Sequence, residues 1–225
     1  MDTQDIYTRC MDRMLSLAEG LSAEQLATPV PALPEWNVRQ TYAHLAGICA
    51  DVAAERITPP ADDTATARQV AERAHMDITR ICADWRENVP ALFQILASRT
   101  QARYFLPTLD LWHHENDVRG ALGMEAQTED SDRLAAFTVG GLARFWSPEL
   151  PGVRVVATDT DQEWTLGDGT DTATLEWSAT AFELARASTG RRSLDQMRAM
   201  RWSGDPSPVV EHLATLPIPQ VDLSV

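Results

Sequence analysis

The chain contains no lysine: all 19 of its basic side chains are arginine. Without an ε-amine there is no Schiff-base catalysis, no attachment of pyridoxal phosphate and no lysine for a phosphate-binding loop. Positive charge is scarce altogether. Against 33 acidic residues it leaves a net charge of −14, which repels a nucleic-acid backbone, and no dense arginine run with interleaved aromatics offsets this locally. Cysteine is scarce too. Cys10, Cys49 and Cys82 cannot all pair with one another, and none belongs to a CxxC, so neither a disulfide framework nor a thiolate zinc knuckle is indicated. They read as small buried apolar residues. No stretch approaches the roughly 20 uninterrupted apolar residues of a membrane span. The opening Met1-Asp-Thr-Gln-Asp5 lacks the basic start and apolar run of a signal peptide. The expectation is a cytoplasmic protein with neither membrane nor nucleic-acid partner.

What the chain does have is core material, 44% apolar over 225 residues, enough for one large domain or two small ones. The first half carries helical periodicity. Ile6, Cys10, Met14 and Leu17 mark one stripe, and Ser22-Ala-Glu-Gln25 opens a short second element as a capping box. Pro29, Pro31 and Pro34 force an extended connection, after which Val38, Tyr42, Leu45, Ile48, Cys49 and Val52 line a long helix. A loop over 59–66 leads to a third helix with the stripe Val70, Ala74, Ile78, Ile81 and Trp85, kinked or divided at Pro90. A fourth helix runs from about Tyr104 to Leu122, with Pro107 in its first turn and Gly123 as a left-handed cap; another spans Leu134 to Phe145. These helices predict a bundle over 1–150.

The pattern changes at Pro151-Gly152. Val153–Thr158, Glu163–Leu166 and Thr172–Trp177, with a turn at Gly167-Asp-Gly169, read as a small antiparallel sheet. Helices follow over Ala179–Ser188, ending at Gly190, from Ser193 through Met200, and from Pro208 through Leu216. Residues 151–225 therefore predict a small α/β domain.

One arrangement resembles reaction chemistry. Asp110 and His114 are four apart and share a helix face, while His113 turns away by about 100°. His44, on another helix, could complete a carboxylate and two imidazoles around a divalent ion, with a fourth position left for water or substrate. His113 is expected at the rim and Glu115 facing solvent. Of the five histidines, His75 and His212 read as incidental surface residues. Arg191 and Arg192 follow the helix-ending Gly190, where they could pair with a carboxylate of substrate or cofactor, or simply complement the helix C-terminus.

Two segments carry a family resemblance: Trp36-Asn-Val-Arg-Gln-Thr-Tyr-Ala-His44-Leu45, and Asp110-Leu-Trp-His-His114-Glu-Asn-Asp117-Val-Arg-Gly-Ala-Leu-Gly123. They resemble the mycothiol-dependent maleylpyruvate isomerase family, within the DinB-like superfamily of metal-binding four-helix bundles. Thr189-Gly-Arg191-Arg192-Ser193 and Trp202-Ser-Gly204-Asp205-Pro206 look like the signature of that family's smaller C-terminal domain. The resemblance implies a mostly α fold, a DinB-like bundle followed by a small α/β domain, with His44, Asp110 and His114 as metal ligands. Family members often have glutamate where Asp110 stands. Asp117 matches a family aspartate that orients a ligand or a substrate. The implied chemistry is that of zinc or another divalent metal activating mycothiol for addition to a small electrophile, by an isomerase or an S-transferase, with polar groups of the C-terminal domain gripping the thiol. The rival readings are a non-catalytic metal-binding sensor or interaction module, and a purely structural bundle without metal.

Overall fold

The computed structural model describes residues 3–167 and 173–225. They form two compact units, Met1–Gln127 with Val225, and Thr128–Ser224. In the first unit the order is α1 (Thr3–Gly20), α2 (Ala23–Leu26), a hairpin of β1 (Pro29–Val30) and β2 (Leu33–Asn37), α3 (Val38–Ala53), α4 (Asp63–Glu72), α5 (Ile78–Ser98) and α6 (Leu106–Ala121). Both α1 and α3 pack against α5 and α6, which sets α1 and α3 at opposite corners of a four-helix bundle. Ile6, Cys10 and Met14 of α1 and Ile81, Trp85, Val89 and Leu92 of α5 are buried along helical stripes. Each large side chain so buried contributes on the order of 1.5–3 kcal/mol. Polar atoms that this core takes in are satisfied: Trp85 Nε1 donates to Tyr7 Oη at 2.8 Å, and Tyr42 Oη donates to the Met14 carbonyl at 2.7 Å.

Local signals place the helix starts. Ser22 with Gln25, and Asn37 with Gln40, close reciprocal capping boxes at α2 and α3, and Gly123 takes φ 67° just beyond α6. The proline-rich segment becomes the hairpin, whose second strand runs directly into α3. The stripe expected as one helix from Val70 to Trp85 is instead two. Asp62 caps α4 through the Ala65 amide, and Asp77 caps α5 through the Arg80 amide. Between them Arg39 donates to the carbonyls of Arg73 at 2.8 Å, of Ala74 at 3.0 Å and of Met76, holding the turn that follows α4. Pro90, expected to kink or divide a helix, does not divide it: α5 runs on through it.

The second unit contains α7 (Ser131–Phe145), β3 (Gly152–Ala157), β4 (Glu163–Leu166), β5 (Ala173–Ala179), α8 (Ala181–Ala187), α9 (Leu194–Ala199) and β6 (Arg201–Trp202). The division between units thus falls ahead of α7, upstream of the change in sequence pattern at Pro151. The four strands are ordered β4-β3-β5-β6, and α7 packs on α8 and β4. The sheet is mixed, not antiparallel. β4 returns beside β3, so β5 restarts at the end where β3 began and pairs parallel with its other edge. Alternation along β3 buries Val153, Val155 and Ala157 on one face. Trp177 and Trp202 stack across β5 and β6, with centroids 5.8 Å apart. Asp168, Gly169 and Thr172 of the expected turn and strand lie outside the described residues. The helix expected from Pro208 is only a 3-10 turn, Val210–His212. The chain is mostly α, a helical bundle followed by a small α/β unit, and among the described residues no helix is long and apolar enough to cross a membrane.

Candidate metal centre

α6 is buried almost throughout, yet it carries an unbroken polar run, His113 to Asp117. A buried polar side chain costs on the order of 1–3 kcal/mol unless partnered, so each of these needs an explanation. His114 turns toward the bundle with Asp110 one turn before it, and α3 brings His44 to the same place. His44 Nε2 lies 3.0 Å from Asp110 Oδ2, and His114 Nε2 lies 3.2 Å from Asp110 Oδ1. Donor atoms of the three side chains all fall within 4.8 Å of one another. The two imidazoles stand nearly perpendicular, centroids 5.3 Å apart, and Trp36 of β2 lies against both, 4.8 Å from His44 and 6.3 Å from His114. Both imidazoles are buried, but the Asp110 side chain keeps 31% exposure, so the centre is open to solvent on the carboxylate side.

The far side of each ring is occupied. His114 Nδ1 donates to Asp117 Oδ2 at 3.0 Å, and His44 Nδ1 meets Gln69 Oε1 at 2.9 Å. Gln69, fully buried on α4, donates through Nε2 to Asp51 Oδ2 at 2.8 Å; Asp51 is itself held by Arg56 at 2.5 Å and Arg68 at 2.8 Å. Electrostatics follow the geometry. Burial works against charge on Asp110, but His114 and His44 beside it prevail and hold its carboxyl well below the usual range. Burial likewise disfavours a charged His114, yet the carboxylates of Asp110 and Asp117 on its two sides push it up to about 9.

Two imidazole nitrogens and one carboxylate make a donor set that zinc and other divalent metals take, with room for a further ligand. The fit rests on more than ligand identity. In both rings Nδ1 is claimed by an oxygen acceptor, which directs both Nε2 atoms to the common point.

The other candidates fall elsewhere. Asp117 stands behind His114. Glu115 does not face solvent: it is 1% exposed and accepts a bidentate pair from Arg13, Nε to Oε1 at 2.7 Å and Nη2 to Oε2 at 2.8 Å, which removes the cost of burying it. His113, expected at a rim, is buried with its ring edge-on to Trp112 at 5.1 Å. His75 and His212 are exposed. Arg191 and Arg192 belong to the second unit. Arg192 is buried and bidentate on Glu183, at 2.6 and 2.8 Å, and Arg191 donates to the Thr189 carbonyl at 3.2 Å. Burial raises the Cys49 thiol to about 12 and the Cys82 thiol to about 11, which keeps both protonated at neutral pH, and Cys10 is also buried. Gln69 and Asp51 escaped the sequence reading; the only signal available was that residues 65, 69 and 73 share one helical face.

Fold and site define the chain as a helical bundle with an interhelical two-histidine, one-carboxylate centre and an appended α/β unit. Residues 7–126 match the model of the mycothiol maleylpyruvate isomerase N-terminal domain, and the chain belongs to that family. No curated protein sequence matches it significantly. Among solved structures it is similar to the mycothiol-dependent maleylpyruvate isomerase (TM-score 0.56, 14% identity) and to a histidine-to-alanine mutant of that enzyme (TM-score 0.56, 13% identity). In each comparison 92% of this chain and 95% of the other are covered.

Proposed function

We propose that the protein is a cytoplasmic, metal-dependent enzyme that activates mycothiol for addition to a small electrophilic substrate, as an isomerase of the maleylpyruvate isomerase kind or as a thiol S-transferase. The observation that carries this reading is the convergence of His44 Nε2, His114 Nε2 and the Asp110 carboxylate, with one side open to solvent, in a chain of this family. His44, Asp110 and His114 would hold zinc or a similar ion. When bound, such an ion supplies Lewis acidity that makes a thiol ionise at neutral pH. That the thiol comes from outside is supported by the family and by the burial of all three cysteines, with Cys49 and Cys82 also pushed out of their reactive range. Asp117 keeps His114 oriented through its Nδ1 proton. Addition forms a carbon–sulfur bond; breaking it after rotation in the adduct gives isomerisation, whereas retaining it gives a thioether. Arg191 and Arg192 are the proposed contacts for a carboxylate of the ligand, Arg192 through a guanidinium that Glu183 already holds in place.

Purified protein is expected to hold close to one divalent ion per chain, measured by elemental analysis, and to consume mycothiol with one or more of a panel of electrophiles at a rate abolished by chelation. His44→Ala should lose most of the metal, and full retention would defeat the ligand assignment. Metal retained without turnover on any acceptor would favour the non-catalytic metal-binding module.

A further inference from the structure

The chain of hydrogen bonds behind His44 runs through Gln69 to Asp51 and has a definite direction. A carboxylate can only accept, so Asp51 Oδ2 must face the Gln69 amide nitrogen, found at 2.8 Å. That choice leaves Oε1 of Gln69 to face His44 Nδ1, at 2.9 Å. An amide oxygen also only accepts, so Nδ1 carries a proton, and Nε2, which faces Asp110 Oδ2 at 3.0 Å, is the nitrogen left to offer an ion its lone pair. The anchor is firm: Asp51 is fully buried under Arg56 and Arg68, and Gln69 is fully buried between it and His44. Burial opposes charge on Asp51, but the hydrogen bonds from Arg68 and Gln69 and the nearby Arg56 outweigh it, and the carboxyl stays below its usual range. Space is reserved for this arrangement. A Cβ at Gly47 of α3 would lie 2.5 Å from Gln69 Cβ and 2.7 Å from its Cγ, closer than atoms tolerate.

We propose that Gln69 is a positioning residue of the metal centre: its side-chain amide, oriented by Asp51 and admitted by the missing side chain at Gly47, fixes His44 in the tautomer whose Nε2 binds the ion. This rests on the metal-site reading and adds to it a residue on a third helix, α4, that touches neither metal nor substrate.

The test uses full-length protein loaded with zinc and two readouts besides activity: affinity by competition with a chromophoric chelator, and the downfield imidazole N–H resonances in proton NMR. Wild type should show slowly exchanging imidazole protons from both His44 and His114. Gln69→Met, close in shape but without the acceptor, should lose one of them and bind zinc 10- to 100-fold more weakly, the usual effect of removing such a partner. Asp51→Asn keeps the packing of the acceptor chain but frees the amide of Gln69 to flip, and should weaken zinc in the same direction; Gly47→Ala should do so by displacing Gln69 while leaving every hydrogen-bonding group in place. Zinc affinity within about two-fold of wild type and both protons intact, in whichever of these variants folds, overturns the proposal. Wild-type protein that takes up no metal overturns the underlying reading and the proposal together, so the two failures are told apart by which protein fails.

Discussion

Asp51 is a fully buried acid that stays charged because two arginines and an amide surround it, and this has a cost in acid. Its folded-state carboxyl sits below the unfolded value, so its contribution to stability is present above about pH 4 and is lost as pH falls further. Chemical denaturation from pH 6 to 3 should show stability declining, with a shallower decline in Asp51→Asn. Thiols behave oppositely. Iodoacetamide at neutral pH should leave Cys49 and Cys82 largely unmodified in native protein and alkylate both after denaturation; quick native labelling, read by mass spectrometry, would contradict their burial. Behind the second imidazole, Asp117→Asn should weaken zinc by about 10- to 100-fold by removing a charged acceptor from His114 Nδ1. At this scale the sequence exposed the convergent residues His44, Asp110 and His114, because helical spacing and the rarity of histidine are both visible in one dimension. It misled about Glu115, whose partner Arg13 is 102 positions away and invisible to local pattern.

α4 shows why element faces can be misread. Its apolar residue Val70 suggested the inward stripe, with Ala74 continuing it just beyond the helix, but the residues that are buried lie at 65, 69 and 73: an alanine, a glutamine and an arginine. The usual rule that the inward face is apolar fails where that face is a polar network satisfied by a neighbouring helix. The break before α5 was hidden for the same reason, since it depends on Arg39, from α3, holding carbonyls that a sequence pattern treats as interchangeable. In the sheet, strand existence was legible from β-branched runs, but pairing was not: alternation specifies which face is buried, not which neighbour lies alongside. Pro90 gives a test at this scale. It lies exposed inside a continuous α5, where it can donate no backbone hydrogen bond. Pro90→Ala should therefore stabilise the protein by about 1–3 kcal/mol, read as a higher urea midpoint with unchanged slope; destabilisation would show that proline favours this helix through some compensating contact.

For the molecule as a whole, the metal is expected to act as a folding ligand. An ion held by residues from α3 and α6 binds the native state and not the separated helices, so its affinity adds to stability. With free zinc at about 100 times its dissociation constant the gain is about 2.7 kcal/mol. Chelation should lower the melting temperature of wild type, whereas His44→Ala should be indifferent to chelator. The composition already pointed to a helical bundle followed by an α/β region, because hydrophobic period changes sharply at Pro151. Contacts divide the chain earlier, after Gln127, and place α7 with the sheet. A helix's partner is decided by surfaces brought together in three dimensions, and the amphipathic run over Leu134–Phe145 carries no mark of which surface it will cover. The hairpin at 29–37 has a further consequence. By setting the indole of Trp36 against both rings, it builds an optical gauge into the pocket: copper or cobalt entering there quenches this indole, so occupancy can be followed as a dimming of emission that Trp36→Phe should reduce.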